Sequence, residues 1–413
     1  MHWAHAMPAP ARTTPSASAQ FVRYVCTARG AATLAVALFA TIVVWNLADA
    51  ARVSVTRDDP RAAFAAAMAR YVPSTLPPCG EAVEDVPCTR FTQPAHSAAT
   101  AEARCLSYLL LRPAHARGGR YFAQLLVSLA SVRRHYFAAL NVSYPVIVFY
   151  NAAAPPSDAE RADMAAALGT EPLLEAVDFE ALARDYEATH GHALPPYTPC
   201  RSRQPFVRRA LFTRDYMLMN VWRLYGLWPR LRALGARYTL MLDSDLRLAR
   251  PLAPTEDALA WSALSAPEPL VYGYSHVDTD PPLCYQGDET LHFARCVESR
   301  AATLGTLSDC GASQGVAPLR VPLATLERGL AAATVFHGAA QLASVDFFVS
   351  PHYRAYAAYV GRLGGLPQKR WSDQSTFWPA LAMFAPPGAV RPLALARATV
   401  HAHVEAPPAG AAS

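Results

Sequence analysis

The chain has 413 residues, room for one large α/β domain or two smaller ones with appendages, and too long for a disulfide mini-protein. Charged residues reach only 17 %, below the ~25 % usual in soluble domains, while 16 Phe, 18 Tyr and 7 Trp supply a core and exclude global disorder. The net charge of +5 is almost all arginine (Lys369 is the only lysine), and no dense basic stripe interleaves with aromatics, which argues against nucleic acid as the partner.

Residues 1–29 carry Arg12, Arg23 and Arg29 and no acid. They read as a cytoplasmic tail. Residues 30–48 are uncharged and would span roughly 28 Å as a helix at ~1.5 Å per residue, close to the hydrocarbon thickness. Trp45 sits near one end, and Asp49 ends the run. Positive residues before the span favour a single-pass type II anchor with the bulk of the chain lumenal. A cleaved signal or transit peptide is the rival.

Residues 49–104, rich in Ala, Pro and Thr, read as a stem with one helix at 61–71. A catalytic domain is expected over 105–405 and a disordered tail over 406–413. The domain opens with an apolar strand at 105–111, a helix at 120–139 and a strand at 145–151, a parallel βαβ unit. Residues 155–190 look helical. A long amphipathic stretch, 206–234, with a break expected at Pro229, leads into a strand at 237–245 that ends in two aspartates. Residues 343–350 read as a strand, 353–362 as a helix, and Gly364-Gly365 as a turn.

Seven cysteines lie beyond the span without the spacing of a zinc knuckle. Local disulfides such as Cys79–Cys88 and two of Cys284, Cys296 and Cys310 fit an oxidising lumen, with buried free thiols as the alternative. Asn141-Val142-Ser143 is an N-glycosylation sequon.

The sharpest local signal is Asp243-Ser244-Asp245 at the carboxyl end of an apolar strand, where open α/β sheets bind ligands. Hard oxygen ligands there suit Mn²⁺ or Mg²⁺ holding a diphosphate. The other reading is a solvated turn. A second acidic pair, Asp278-Thr279-Asp280, reads as a polar loop.

Several segments in order resemble the fungal α-1,2-mannosyltransferases, Golgi glycosyltransferases of the GT-A fold. They are LLLRPAHARGG (109–119), the stretch 216–246 from YMLM to LDSDL, YGYSHVDTD (272–280), and DFFVSPHYRAYAAYVGRLGGLPQKRWSDQS (346–375). The resemblance implies a Rossmann-like nucleotide-diphospho-sugar transferase domain with a mainly parallel sheet. It implies transfer of a hexose, mannose from GDP-mannose with retention, to a glycan or glycoprotein hydroxyl. A UDP-sugar-dependent galactosyl-, glucosyl- or xylosyltransferase, or a catalytically silent glycan-binding protein, stays open.

The metal would fall to Asp243 and Asp245 with His401 or His403. The donor would fall to Arg112, Tyr216 and Asp243. Asp373 would orient or deprotonate the acceptor, or cap a helix, and Trp371 would stack on a sugar or fill the core. Three positions depart from the family pattern: Asp243-Ser244-Asp245-Leu246 replaces Glu-Pro-x-Val, Phe377 replaces a His, and Gln341 stands where the family has its proposed nucleophilic Glu. A neutral amide cannot act as a carboxylate nucleophile, so same-face attack within an ion pair is the other route.

Overall fold

The computed structural model describes residues 75–94, 104–110, 119–194, 197–199, 211–261, 270–279, 286–304, 319–369, 371–386 and 388–401. All belong to one compact unit within 64–413.

The strands, in chain order, are β1 (Arg104–Leu110), β2 (Val146–Asn151), β3 (Leu173–Val177), β4 (Tyr197–Pro199), β5 (Leu211–Thr213), β6 (Tyr238–Leu242) and β7 (Leu246–Leu248). After these come β8 (Tyr272–Tyr274), β9 (Val277–Thr279), β10 (Thr334–Phe336), β11 (Ala340–Ser344), β12 (Val390–Pro392) and β13 (Thr399–His401). Seven form one sheet in the order β12-β8-β11-β6-β1-β2-β3. The β3-β2-β1-β6 half is parallel, and β11 runs antiparallel between β6 and β8.

The central strands are apolar on both faces, as a sheet covered by helices on both sides requires. Along β2, Val146 and Val148 join one core cluster while Ile147 and Phe149 join the other, the alternation that a pleated strand imposes. On one side pack Phe122, Leu125 and Leu129 of a helix, Arg120–Val132. On the other pack Trp222, Leu227, Trp228 and Leu231 of a longer helical run, Arg214–Val221 through Leu227–Ala233. A buried polar bridge, Ser107 Oγ to Thr239 Oγ1 at 2.7 Å, ties β1 to β6 within this core.

Four expectations change. Residues 155–190 contain β3 between two helices, Asp158–Leu168 and Phe179–His190. Pro229 does not break the 214–233 run. The Leu227 N–H reaches Trp222 O, so a π turn at Trp222–Gly226 widens the helix ahead of the proline ring. The strand expected at 343–350 stops at Ser344, and Val345–Phe348 forms a helical turn whose Asp346 pairs with Arg232. Finally, 75–94 is no free stem. Phe91 packs edge-on against Phe347 at 5.1 Å, Gln93 Nε2 donates to Ser344 Oγ at 2.7 Å, and Arg300 donates to backbone carbonyls of Glu84 and Val86.

Cys79 is bonded to Cys296, 217 residues away, and not to Cys88, which is itself disulfide-bonded. Cys105 is a free buried thiol, pushed up to about 11 by burial. Among the described residues no helix is long and apolar enough to cross a membrane, and the 30–48 run lies outside them, as does the expected 61–71 helix.

Candidate functional site

The acidic pair sits where the sheet gives way to loop. β6 ends at Leu242, and the Asp243 N–H donates to Ala339 O at 2.9 Å. The Leu246 N–H then donates to Asp243 O at 3.0 Å, closing a turn over Ser244 and Asp245. β7 follows at once and pairs antiparallel with β13, placing His401 opposite Leu246. The pairing brings His401 Nδ1 to 3.7 Å from Asp245 Oδ2, with both side chains about 40 % exposed (42 % and 41 %). A residue 156 positions away is thus returned to the end of β6 by a two-stranded ribbon (401 − 245 = 156).

Behind the pair lies an ion-pair chain that sequence reasoning missed. Arg223, on the π turn, donates from Nη2 to Asp243 Oδ1 at 2.6 Å and from Nη1 to Asp373 Oδ2 at 2.9 Å. Its side chain is 12 % exposed and that of Asp373 only 2 %. Burial alone would lower the arginine pKa, but the charges of Asp373 and Asp243 outweigh it and hold it above the ordinary value. Burial raises the Asp243 carboxyl above its usual range, Arg223 works against that, and Asp245 and Asp373 add to it.

Asp373 is fixed on a second side: its N–H donates to Asn220 Oδ1 at 2.9 Å, and Asn220 Nδ2 donates to Tyr216 O at 2.9 Å. The helix Asp373–Phe384 is capped by Ser372, so Asp373 is its first residue and not its cap. With its carboxylate buried against a guanidinium, Asp373 serves to anchor Arg223.

Gln341, in the middle of β11, is fully buried. Its Oε1 accepts from Tyr272 Oη at 2.7 Å, while Nε2 is a buried donor with no partner among the described residues. The side chain itself supplies no carboxylate. Trp371 is 1 % exposed and its ring lies where any Cβ on Gly365 would collide, so it belongs to the core and offers no face to an acceptor. Tyr216 is half-buried and meets the site through its backbone carbonyl. Arg112 and His403 lie outside the described residues.

A cleft of about 630 Å³ opens beside this turn, lined by Leu246, His276, His337, Arg397 and His401 among others. That volume suits a small ligand. Asp245 adjoins it through its chain neighbour Leu246 and its contact to His401. His337 is held below its ordinary pKa by burial first and then by His276 and His401.

The Asp245 carboxylate and the His401 imidazole, 3.7 Å apart, offer two ligand atoms that suit Mn²⁺ and leave positions for diphosphate oxygens, while Asp243 is bound to Arg223. Asn220, buried on the helix that leads into β6, is the polar partner that ties this helix to Asp373. Arg223 gave no signal, since arginines are scattered along that helix.

No protein-family model and no curated protein matches the chain. Among solved structures it is similar to core-mannan synthase A of Aspergillus fumigatus in its Mn/GDP form, at 16 % identity over 78 % of each chain with a TM-score of 0.44. It is similar also to the S. cerevisiae mannosyltransferase Ktr4p in complex with GDP, at 13 % identity over 83 % of this chain and 86 % of that one, TM-score 0.47. Mouse xyloside xylosyltransferase 1 aligns at 12 % identity over 67 % of this chain and 81 % of that one, TM-score 0.34.

Proposed function

We propose that the chain is a metal-dependent glycosyltransferase with a GT-A catalytic domain, moving a hexose from a nucleotide-diphosphate donor to a glycan or glycoprotein hydroxyl. One observation carries the reading: Asp245, just past the end of β6, and the returning His401 stand 3.7 Å apart beside a ligand-sized cleft that His401 lines. Mannose from GDP-mannose is the donor that the sequence motifs favour.

Asp245 and His401 would hold Mn²⁺ or Mg²⁺, with Asp243 beside them. The cation would neutralise charge developing on the leaving diphosphate. The chain's own residues do the rest. Arg223 fixes the Asp243 carboxylate, Asp373 holds Arg223, and Asn220 ties down the Asp373 backbone. Gln341 cannot form a glycosyl ester, so retention would follow same-face attack, with the departing phosphate taking the acceptor proton.

Anchoring belongs to the same proposal. A type II helix at 30–48 would place the domain in the Golgi lumen. Two features support this: disulfide-bonded Cys79, Cys88 and Cys296 suit an oxidising compartment, and Asn141 of the sequon is exposed.

A donor panel of GDP- and UDP-sugars, run with Mn²⁺ and with EDTA, tests the reading. Metal-dependent turnover of GDP-mannose is the expected result. Turnover of a UDP-sugar would keep the enzyme and change the donor, and donor binding without turnover on any acceptor would make it a glycan-binding protein.

A further inference from the structure

We propose that the β9–β10 ribbon carries a second metal site, formed by His276, Asp278 and His337, that takes a borderline divalent cation such as Zn²⁺. Each of the three side chains offers one ligand atom, and these atoms all lie within 4.8 Å of one another.

The ribbon explains why they meet. β9 and β10 are antiparallel with Phe336 opposite Val277 and Val335 opposite Asp278. The next step of that register sets His337 against His276, and the His337 N–H donates to His276 O at 3.0 Å. Directly opposed residues on such a ribbon hold their Cβ atoms ~5 Å apart. His276 and Asp278, two positions apart, project from the same face of their strand. A His-x-Asp on one strand and a His facing it on the other thus converge on one point.

The rings are already arranged. His276 and His337 stack at 4.3 Å with planes 20° apart, and Ser275 Oγ lies 3.3 Å from Nδ1 of His276 and 3.5 Å from Nδ1 of His337. Asp278 and His276 are exposed and His337 half-buried, so a cation reaches the site from solvent through the cleft that both histidines line.

Two imidazoles with one carboxylate are a softer set than the strand-end carboxylates. They favour Zn²⁺ over Mg²⁺, and over Mn²⁺ by the general order of divalent affinities. The site is separate from Asp245, yet the His337 and His401 rings are 6.1 Å apart across the same cleft.

The test is zinc binding to the metal-stripped full-length protein, by equilibrium dialysis with Mg²⁺ in excess. Wild type should retain one Zn²⁺. His276→Ala, His337→Ala and Asp278→Asn should each weaken it by more than roughly tenfold, the least that even outer partners of metal ligands contribute. Asp245→Asn should retain it. Unchanged zinc affinity in the His276→Ala/His337→Ala double variant overturns the proposal, and so does its loss in Asp245→Asn. Unchanged circular dichroism in every variant confines the effect to the site.

Discussion

Arg223 is the residue whose removal says most about the site. Replacing it with Met keeps the bulk of the stem and deletes the guanidinium between Asp243 and Asp373. Asp373, 2 % exposed, would then hold a buried charge without the guanidinium that opposes it. Removing one partner of a buried ion pair costs about 3–5 kcal/mol. At roughly 2 °C per kcal/mol for a domain of this size, the melting temperature at pH 7.5 should fall by about 6–10 °C. The loss depends on pH with a definite sign. In the variant the lone carboxyl has a folded pKa above its unfolded value, so the penalty is full at neutral pH and fades as pH falls through the raised folded value. Melting curves at pH 7.5 and 5 would show the wild-type-to-variant gap closing on acidification. Arg223→Met/Asp373→Asn should recover part of the loss at neutral pH, since the more deeply buried of the two charges is removed while Asp243, 31 % exposed, stays without its partner. A single variant that melts within ~0.5 kcal/mol of wild type at pH 7.5, the range of an ordinary surface change, would refute the ion-pair account.

Cys79→Ser should destabilise the protein by about 2–4 kcal/mol in chemical denaturation, because the bond to Cys296 spans 217 positions; no change would mean that 75–94 docks without it. His190, pushed to about 4 by burial and then by Arg362 and His192, binds fewer protons folded than unfolded between its ordinary value of 6.5 and 4. Stability should therefore decline with acid across that window, and His190→Gln should flatten the decline. Gln341→Glu would place a carboxyl at a fully buried position against Tyr272, so it should melt below wild type at neutral pH and should not raise turnover.

Much of the sheet is legible in the sequence because its strands are short apolar runs at the right spacing from amphipathic helices. β1 and β2 fall within one residue of where 105–111 and 145–151 place them, and β6 ends three residues short of the expected 237–245, with Asp243 and Asp245 in the turn beyond it. β3 hides because Leu173–Val177 lies at the sheet edge and alternates weakly between two Ala-rich acidic helices. Val345–Phe348 reads as strand because a short, wholly buried apolar run has no periodicity to tell strand from helix.

The site was half legible. Asp243 and Asp245 announce themselves by following a strand, and His401 by standing in the tail. Asp278 reads as loop because only the pairing of β9 with β10 sets it beside His276 and His337. The Cys79–Cys296 bond and the Arg223 chain join residues that no local spacing connects.

Calorimetric binding of GDP with and without Mn²⁺, to wild type and to Asp245→Asn, tests the central claim most directly. Asp245 is 41 % exposed, so the substitution should leave the fold intact. Wild type should bind GDP more tightly with Mn²⁺, by tenfold or more, roughly 1.4 kcal/mol. The variant should show no such gain. Equal affinity with and without the ion in wild type, or an undiminished gain in Asp245→Asn, would contradict the strand-end metal site.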